Sequence, residues 1–120
     1  MTIRNLSTAD FETTIAENSI VLVDFWASWC GPCRAFAPVF DRSEQAHPDV
    51  VHAKVDTEAQ QQLAAALDIQ AIPTIMAFRD GILVYRQPGA MPAAALEDLI
   101  TRVKALDMAD VRAKIAAATS

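Results

Sequence analysis

The sequence predicts an α/β domain: a central mixed β-sheet flanked by helices, with a helical extension at the C-terminal end. Three observations carry this. Branched apolar runs alternate with helix-like stretches up to Leu67, and strands separated by helices pair in parallel. Further on, Asp80-Gly81 joins two apolar runs at 74–78 and 82–87, a strong signal for an antiparallel hairpin. Finally, the only two cysteines, Cys30 and Cys33, bracket Gly31-Pro32 where a strand hands over to a helix.

The elements follow in order. Residues 3–6 form a short edge strand. Ser7 and Asp10 make a capping box with Asp in place of Glu, opening a helix over 8–17 that turns Phe11 and Ile15 to the core. The run at 20–26 is a strand buried on both faces. Asp24 interrupts it, and a buried carboxylate needs either a partner or a raised pKa. The plainer alternative is an Asp at a strand end with its head in solvent. Cys30 starts the next helix with Pro32 in its first turn, where a missing N–H is harmless. That helix runs to 45 or 46, with a kink expected at Pro38.

The strand at 50–56 alternates, with Val51, Ala53 and Val55 on one face and His52, Lys54 and Asp56 on the other. An Ala- and Gln-rich helix from Thr57 to Leu67 precedes a loop at 68–74 and then the hairpin. A last helix starts near Pro92. Leu96, Leu99, Ile100, Val103 and Leu106 form one stripe, while Met108, Val111 and Ile115 form another, rotated by roughly 100°. One straight helix cannot bury both stripes, so a break is expected near Leu106-Asp107, with Asp107 capping a second helix. Residues 116–120 are expected to fray.

Composition narrows the function. At 120 residues with 52% hydrophobic content the chain is one domain able to bury its own core. A net charge of −5 argues against nucleic acid and against anionic membrane surfaces. No apolar stretch of signal-peptide length opens the chain, and the run at 20–23 falls far short of the roughly 20 residues a membrane span needs. The chain is therefore expected in the cytoplasm, where a close cysteine pair is more often catalytic or metal-binding than structural.

A helix N-terminus stabilises negative charge, so Cys30 is expected to be an exposed, readily ionised nucleophile. Cys33, one turn in and less exposed, is the resolving thiol. It needs help losing its proton, and Asp24 is the candidate base, modulated by Lys54 on the neighbouring strand. A structural zinc site fits poorly. It wants four ligands, and only His47 and His52 are available beside the cysteines, without finger-like spacing. An inert disulfide closing so short a loop would stabilise little. No metal is expected.

Trp29-Cys30-Gly31-Pro32-Cys33 matches the active-site motif of the thioredoxin family letter for letter, and the chain resembles that family from about residue 6 to residue 106. The likeness includes Asp24-Phe25-Trp26-Ala27, Ala37-Pro38, Lys54-Val55-Asp56, Ile72-Pro73-Thr74 and Gly89-Ala90. The resemblance implies the thioredoxin fold over 1–106 with 107–120 as an extension. It also implies a cis Ile72-Pro73 bond, with Pro73 against Cys30 keeping metals out. The Ile72 backbone would pair with an extended target segment, within an apolar rim of Trp29, Ile72, Gly89 and Ala90. Core packing is the alternative for Trp29, a role that suits Trp26 better. Gly31-Pro32 resembles the reducing members, with Trp29 also bordering the tuned dithiol. Three positions depart from the family pattern: Arg34 replaces Lys, Ala71 stands where Gly is common, and Pro88 stands where a β-branched or small residue is common.

The resemblance further implies a protein-disulfide reductase and electron carrier in cell redox homeostasis. It would act as a monomer and bind no cofactor, with NADPH and FAD entering only through a thioredoxin reductase. Its partners would be that reductase and disulfide-containing target proteins. Two alternatives stay open: a dedicated thiol–disulfide oxidoreductase serving one pathway, and a binding module that uses the fold without thiol turnover.

Overall fold

The computed structural model describes residues 3–119. Met1, Thr2 and Ser120, the last of which falls in the stretch expected to fray, lie outside them. Ten elements follow in order: β1 (Arg4–Asn5), α1 (Phe11–Glu17), β2 (Ile20–Trp26), α2 (Gly31–Ala46), β3 (Val51–Asp56), α3 (Gln61–Ala66), β4 (Thr74–Arg79), β5 (Ile82–Pro88), α4 (Ala93–Ala105) and α5 (Met108–Thr119). One five-stranded sheet has the order β1-β3-β2-β4-β5. β1, β3 and β2 are parallel, while β4 and β5 are antiparallel additions. This is the mixed sheet expected from helices between the early strands and a hairpin at the end.

The strands' alternation divides the core in two. Val21, Val23 and Phe25 of β2 join Ala53, Val55, Phe11, Ile15 and Leu63 on one face. Ile20 and Leu22 join Phe36, Phe40, Ile75 and the α4 stripe Leu96, Leu99, Ile100 and Val103 on the other. β2 is thus sandwiched between layers, which is why it reads as a nearly continuous apolar run.

Several boundaries differ from expectation. α1 starts at Phe11, because residues 8–10 make a turn in which the Ser7 amide donates to Asp10 Oδ1 at 2.6 Å. α3 starts at Gln61, because Asp56 Oδ1 takes the amides of Glu58 and Ala59 at 2.9 and 3.3 Å and holds that stretch as a turn. β5 continues to Pro88, paired with Thr74. The hairpin turn places Asp80 at φ 53° and Gly81 at φ 81°, the left-handed pair that a tight hairpin requires.

The late helix does break. Leu106 is extended at φ −59° and ψ 136°, and Asp107 Oδ1 accepts the Asp110 amide at 3.2 Å, capping α5. Arg79 secures the break from the sheet side, donating to the Val103 and Lys104 carbonyls at 2.7 and 3.2 Å. α5 buries Met108 but leaves Ile115 exposed, so the second stripe is covered only at its start. Residues 116–119 are helical rather than frayed.

Candidate functional site

Cys30 caps α2. Its backbone is extended (φ −85°, ψ 114°), and its sulfur accepts the Cys33 amide at 3.2 Å. Gly31 and Pro32 occupy the first two helical positions, where a missing proline N–H costs no intrahelical bond. The Arg34 guanidinium donates to the Ser28 carbonyl at 2.9 Å, tying the first turn to the loop before it. Cys30 and Cys33 are joined as a disulfide with their Cα atoms 5.2 Å apart.

The site is more enclosed than expected. Cys30 is 4% exposed and Cys33 3%, so the predicted contrast between an open and a hidden cysteine is absent from the oxidised form. The reason is the loop between α3 and β4. Its Ile72–Pro73 peptide is cis, and the Ile72 carbonyl oxygen lies 3.7 Å from Cys30 Sγ. The Gly89 amide donates to the Pro73 carbonyl at 2.7 Å, holding this loop to the end of β5 with Gly89 at φ 99°. The Thr74 hydroxyl donates to the Ala71 carbonyl, closing the turn from within.

Of the expected rim, Ile72 and Gly89 are thus brought to the disulfide and its proline, and Ala90 follows on the surface. Trp29 is 65% exposed, which excludes core packing. Its indole N–H donates to Glu58 Oε1 at 2.8 Å. Glu58 was missed by the sequence reading, and no local pattern links positions so far apart in the chain. Trp26, by contrast, is partly buried with its indole N–H inside.

Asp24 is wholly buried, so the solvent-headed alternative is overturned. Neither carboxylate oxygen has a hydrogen-bond partner, and burial pushes the carboxyl up to about 7, with Lys54 pulling the other way. Lys54 stands directly beside it in the parallel register of β2 and β3. A carboxyl that titrates near neutrality, on the strand leading into the dithiol, has the acid strength a proton carrier for a thiol requires. No group of three metal-capable side chains occurs among the described residues.

A family profile described as Thioredoxin matches residues 2–102. A Streptomyces coelicolor protein named as a thioredoxin 2 is 50% identical over 111 residues, 92% of this chain and 83% of that one. Thioredoxin 1 of Synechococcus elongatus is 44% identical over 96 residues, covering 78% of this chain and 90% of that one. Among solved structures, a mutant thioredoxin from Halobacterium salinarum superposes with a TM-score of 0.80 at 33% identity, covering 86% of this chain and 91% of the other.

Proposed function

The chain belongs to the thioredoxin family and is a protein-disulfide reductase, and from that premise we propose that Cys30 is its nucleophile, Cys33 its resolving thiol and Asp24 the base that serves Cys33. The placement of Cys30 at the mouth of α2, bonded to Cys33, carries this reading.

The cycle runs as follows. The Cys30 thiolate attacks one sulfur of a target disulfide. A mixed disulfide forms, and the target's other sulfur leaves as a thiolate that takes a proton. Cys33 then gives its proton to Asp24 and attacks Cys30 Sγ. The target's remaining sulfur leaves and is protonated, and the Cys30–Cys33 disulfide is left behind. Two electrons pass from the dithiol to the target. The buried, unpartnered carboxyl of Asp24 suits this step, because with a pKa of about 7 its carboxylate is a stronger base than an ordinary one, and part of it is still ionised near neutrality to take the Cys33 proton. Lys54 tempers that effect from the neighbouring strand.

Target proteins are read by the surface around the disulfide. Trp29, Ile72, Gly89 and Ala90 form the apolar rim, and the Ile72 backbone pairs with an extended target segment. Pro73 covers Cys30 against metals. Gly31 and Pro32 keep the couple reducing, since neither offers a charge that would favour the thiolate.

Proteins of this family bind no cofactor themselves and work with a thioredoxin reductase and disulfide-bearing targets. We assign re-reduction to an NADPH-dependent flavoenzyme of that kind, and the workplace of the chain to the cytoplasm as a monomer. No helix among the described residues is long and apolar enough to cross a membrane. Residues 107–120 form an extension of the single domain over 1–106.

NADPH consumption with a thioredoxin reductase and insulin tests the reading. Steady turnover that vanishes in Cys30→Ser is expected. Absence of turnover with every reductase tried would contradict it. Trapping with Cys33→Ser then separates a general reductant, which captures many targets, from a dedicated one, which captures one.

A further inference from the structure

Lys54 stands beside Asp24 across β2 and β3, yet neither Asp24 oxygen has a hydrogen-bond partner. The Lys54 ammonium instead lies 4.8 Å from the centroid of the Trp26 ring. Residues 24 and 26 share one face of β2, because side chains alternate along a strand. Lys54 therefore has two partners within reach, the carboxyl beside it and the indole face one position further along. Indole is the best of the aromatic side chains at holding a cation. A lysine with a buried carboxyl for a neighbour sits on the ring.

We propose that Trp26 is a positioning residue for the exchange reaction: its ring holds the Lys54 ammonium off Asp24, keeping the buried carboxyl a weak acid able to take and return the Cys33 proton. This rests on the reading of Asp24 as the base for Cys33.

On this face of the sheet Lys54 is the cation in register with Asp24, while Arg79 sits at the far end of β4, opposite Ile20, and is committed to the Val103 and Lys104 carbonyls. On β3, Asp56 is committed to the Glu58 and Ala59 amides, and His52 to the Ser43 hydroxyl. β4 presents apolar Ile75 as the neighbour of Asp24. The titratable groups among the buried residues of α2 are Cys33 and Glu44, and the buried residues of α4 are all apolar. Where Lys54 rests thus decides how much burial is offset, in keeping with a carboxyl held near 7 and only partly drawn down by Lys54. The Trp26 indole N–H has no acceptor, so the ring acts here through its face rather than as a hydrogen-bond donor to Asp24.

The test is an NMR titration of the Asp24 carboxyl in the oxidised protein, where the cysteines do not titrate. In Trp26→Leu, Lys54 is freed to pair with the carboxyl, and the midpoint falls by about one pH unit or more. In Lys54→Met the midpoint rises, and adding Trp26→Leu to that background shifts it no further. A midpoint unchanged or raised in Trp26→Leu, or a fall that persists without Lys54, overturns the proposal. Trp26→Phe, which keeps a weaker ring, gives a smaller fall and serves if the leucine variant does not fold. The wild type supplies a reading independent of any variant. The Lys54 ε-methylene protons stay shifted upfield by the ring on both sides of the Asp24 midpoint. Their return to random-coil values as Asp24 ionises would show the ammonium leaving the ring, and would also overturn it. The Asp24 midpoint is read whether or not Asp24 serves Cys33. Failure here therefore leaves the base assignment standing on its own test, the rate of mixed-disulfide resolution in Asp24→Asn.

Discussion

The Ser43 hydroxyl and the His52 ring meet at 2.8 Å between α2 and β3, both out of solvent. His52 Nδ1 faces the Val50 carbonyl at 3.1 Å, which can only accept, so Nδ1 carries the proton and Nε2 takes the Ser43 hydroxyl hydrogen. The ring edge also packs on Phe40, with centroids 5.0 Å apart. Burial holds the imidazole below its usual 6.5. Its contribution to stability is therefore present above pH 6.5 and is lost as pH falls through that value towards the folded-state pKa. Ser43→Ala leaves Nε2 without a donor and is expected to cost about 1–3 kcal/mol at pH 8. Thermal melts of wild type and variant check both statements.

Asp24 titrates in the opposite sense. Its folded pKa, about 7, lies above the ordinary 3.8, so stability is greatest below pH 3.8 and is lost as pH rises towards 7. At about 1.4 kcal/mol per pKa unit the full loss is on the order of 4 kcal/mol. Asp24→Asn is expected to melt well above wild type at pH 8 and close to it at pH 4. The same variant should resolve mixed disulfides more slowly near neutrality. An equal gap in melting temperature at both pH values would place the penalty elsewhere.

Arg79 joins the sheet to the end of α4 through the Val103 and Lys104 carbonyls. Arg79→Met removes the side-chain donors from two carbonyls in the last turn of α4, of which that of Val103 keeps the Leu106 amide at 3.4 Å. We expect a loss of about 1–3 kcal/mol. Hydrogen exchange should speed up in the last turn of α4 and in α5, while the disulfide loop stays protected.

Gly89→Ala tests the clamp on the proline loop. Nothing lies within 4 Å of the added Cβ, so its cost is conformational, arising from φ 99°. About 1–2 kcal/mol of stability should go. If the Gly89–Pro73 bond shapes the target surface, KM for insulin reduction rises more than kcat falls.

Most of the sheet was legible because β2 is buried on both faces and Asp80-Gly81 permits little but a tight turn. The break before α5 was legible because the Leu96–Leu106 and Met108–Ile115 stripes cannot share one face. The starts of α1 and α3 were not, since they depend on where the Asp10 and Asp56 carboxylates spend their hydrogen bonds. Within the site, Cys30, Cys33 and the strand position of Asp24 could be read from spacing, and the proline loop from family likeness. The enclosure of Cys30 by the Ile72 carbonyl, the Trp29–Glu58 bond and the Lys54–Trp26 contact all join distant segments. They depend on side-chain geometry that no local pattern encodes.

The central claim is that α2 presents Cys30 as the attacking thiolate and holds Cys33 in reserve. Alkylation of the fully reduced protein by iodoacetamide across pH, with the modified residue identified by mass spectrometry, tests it most directly. The account predicts that Cys30 is labelled first, with a midpoint below the roughly 8.5 of free cysteine. Labelling of Cys33 first, or a Cys30 midpoint at or above that of free cysteine, would contradict it.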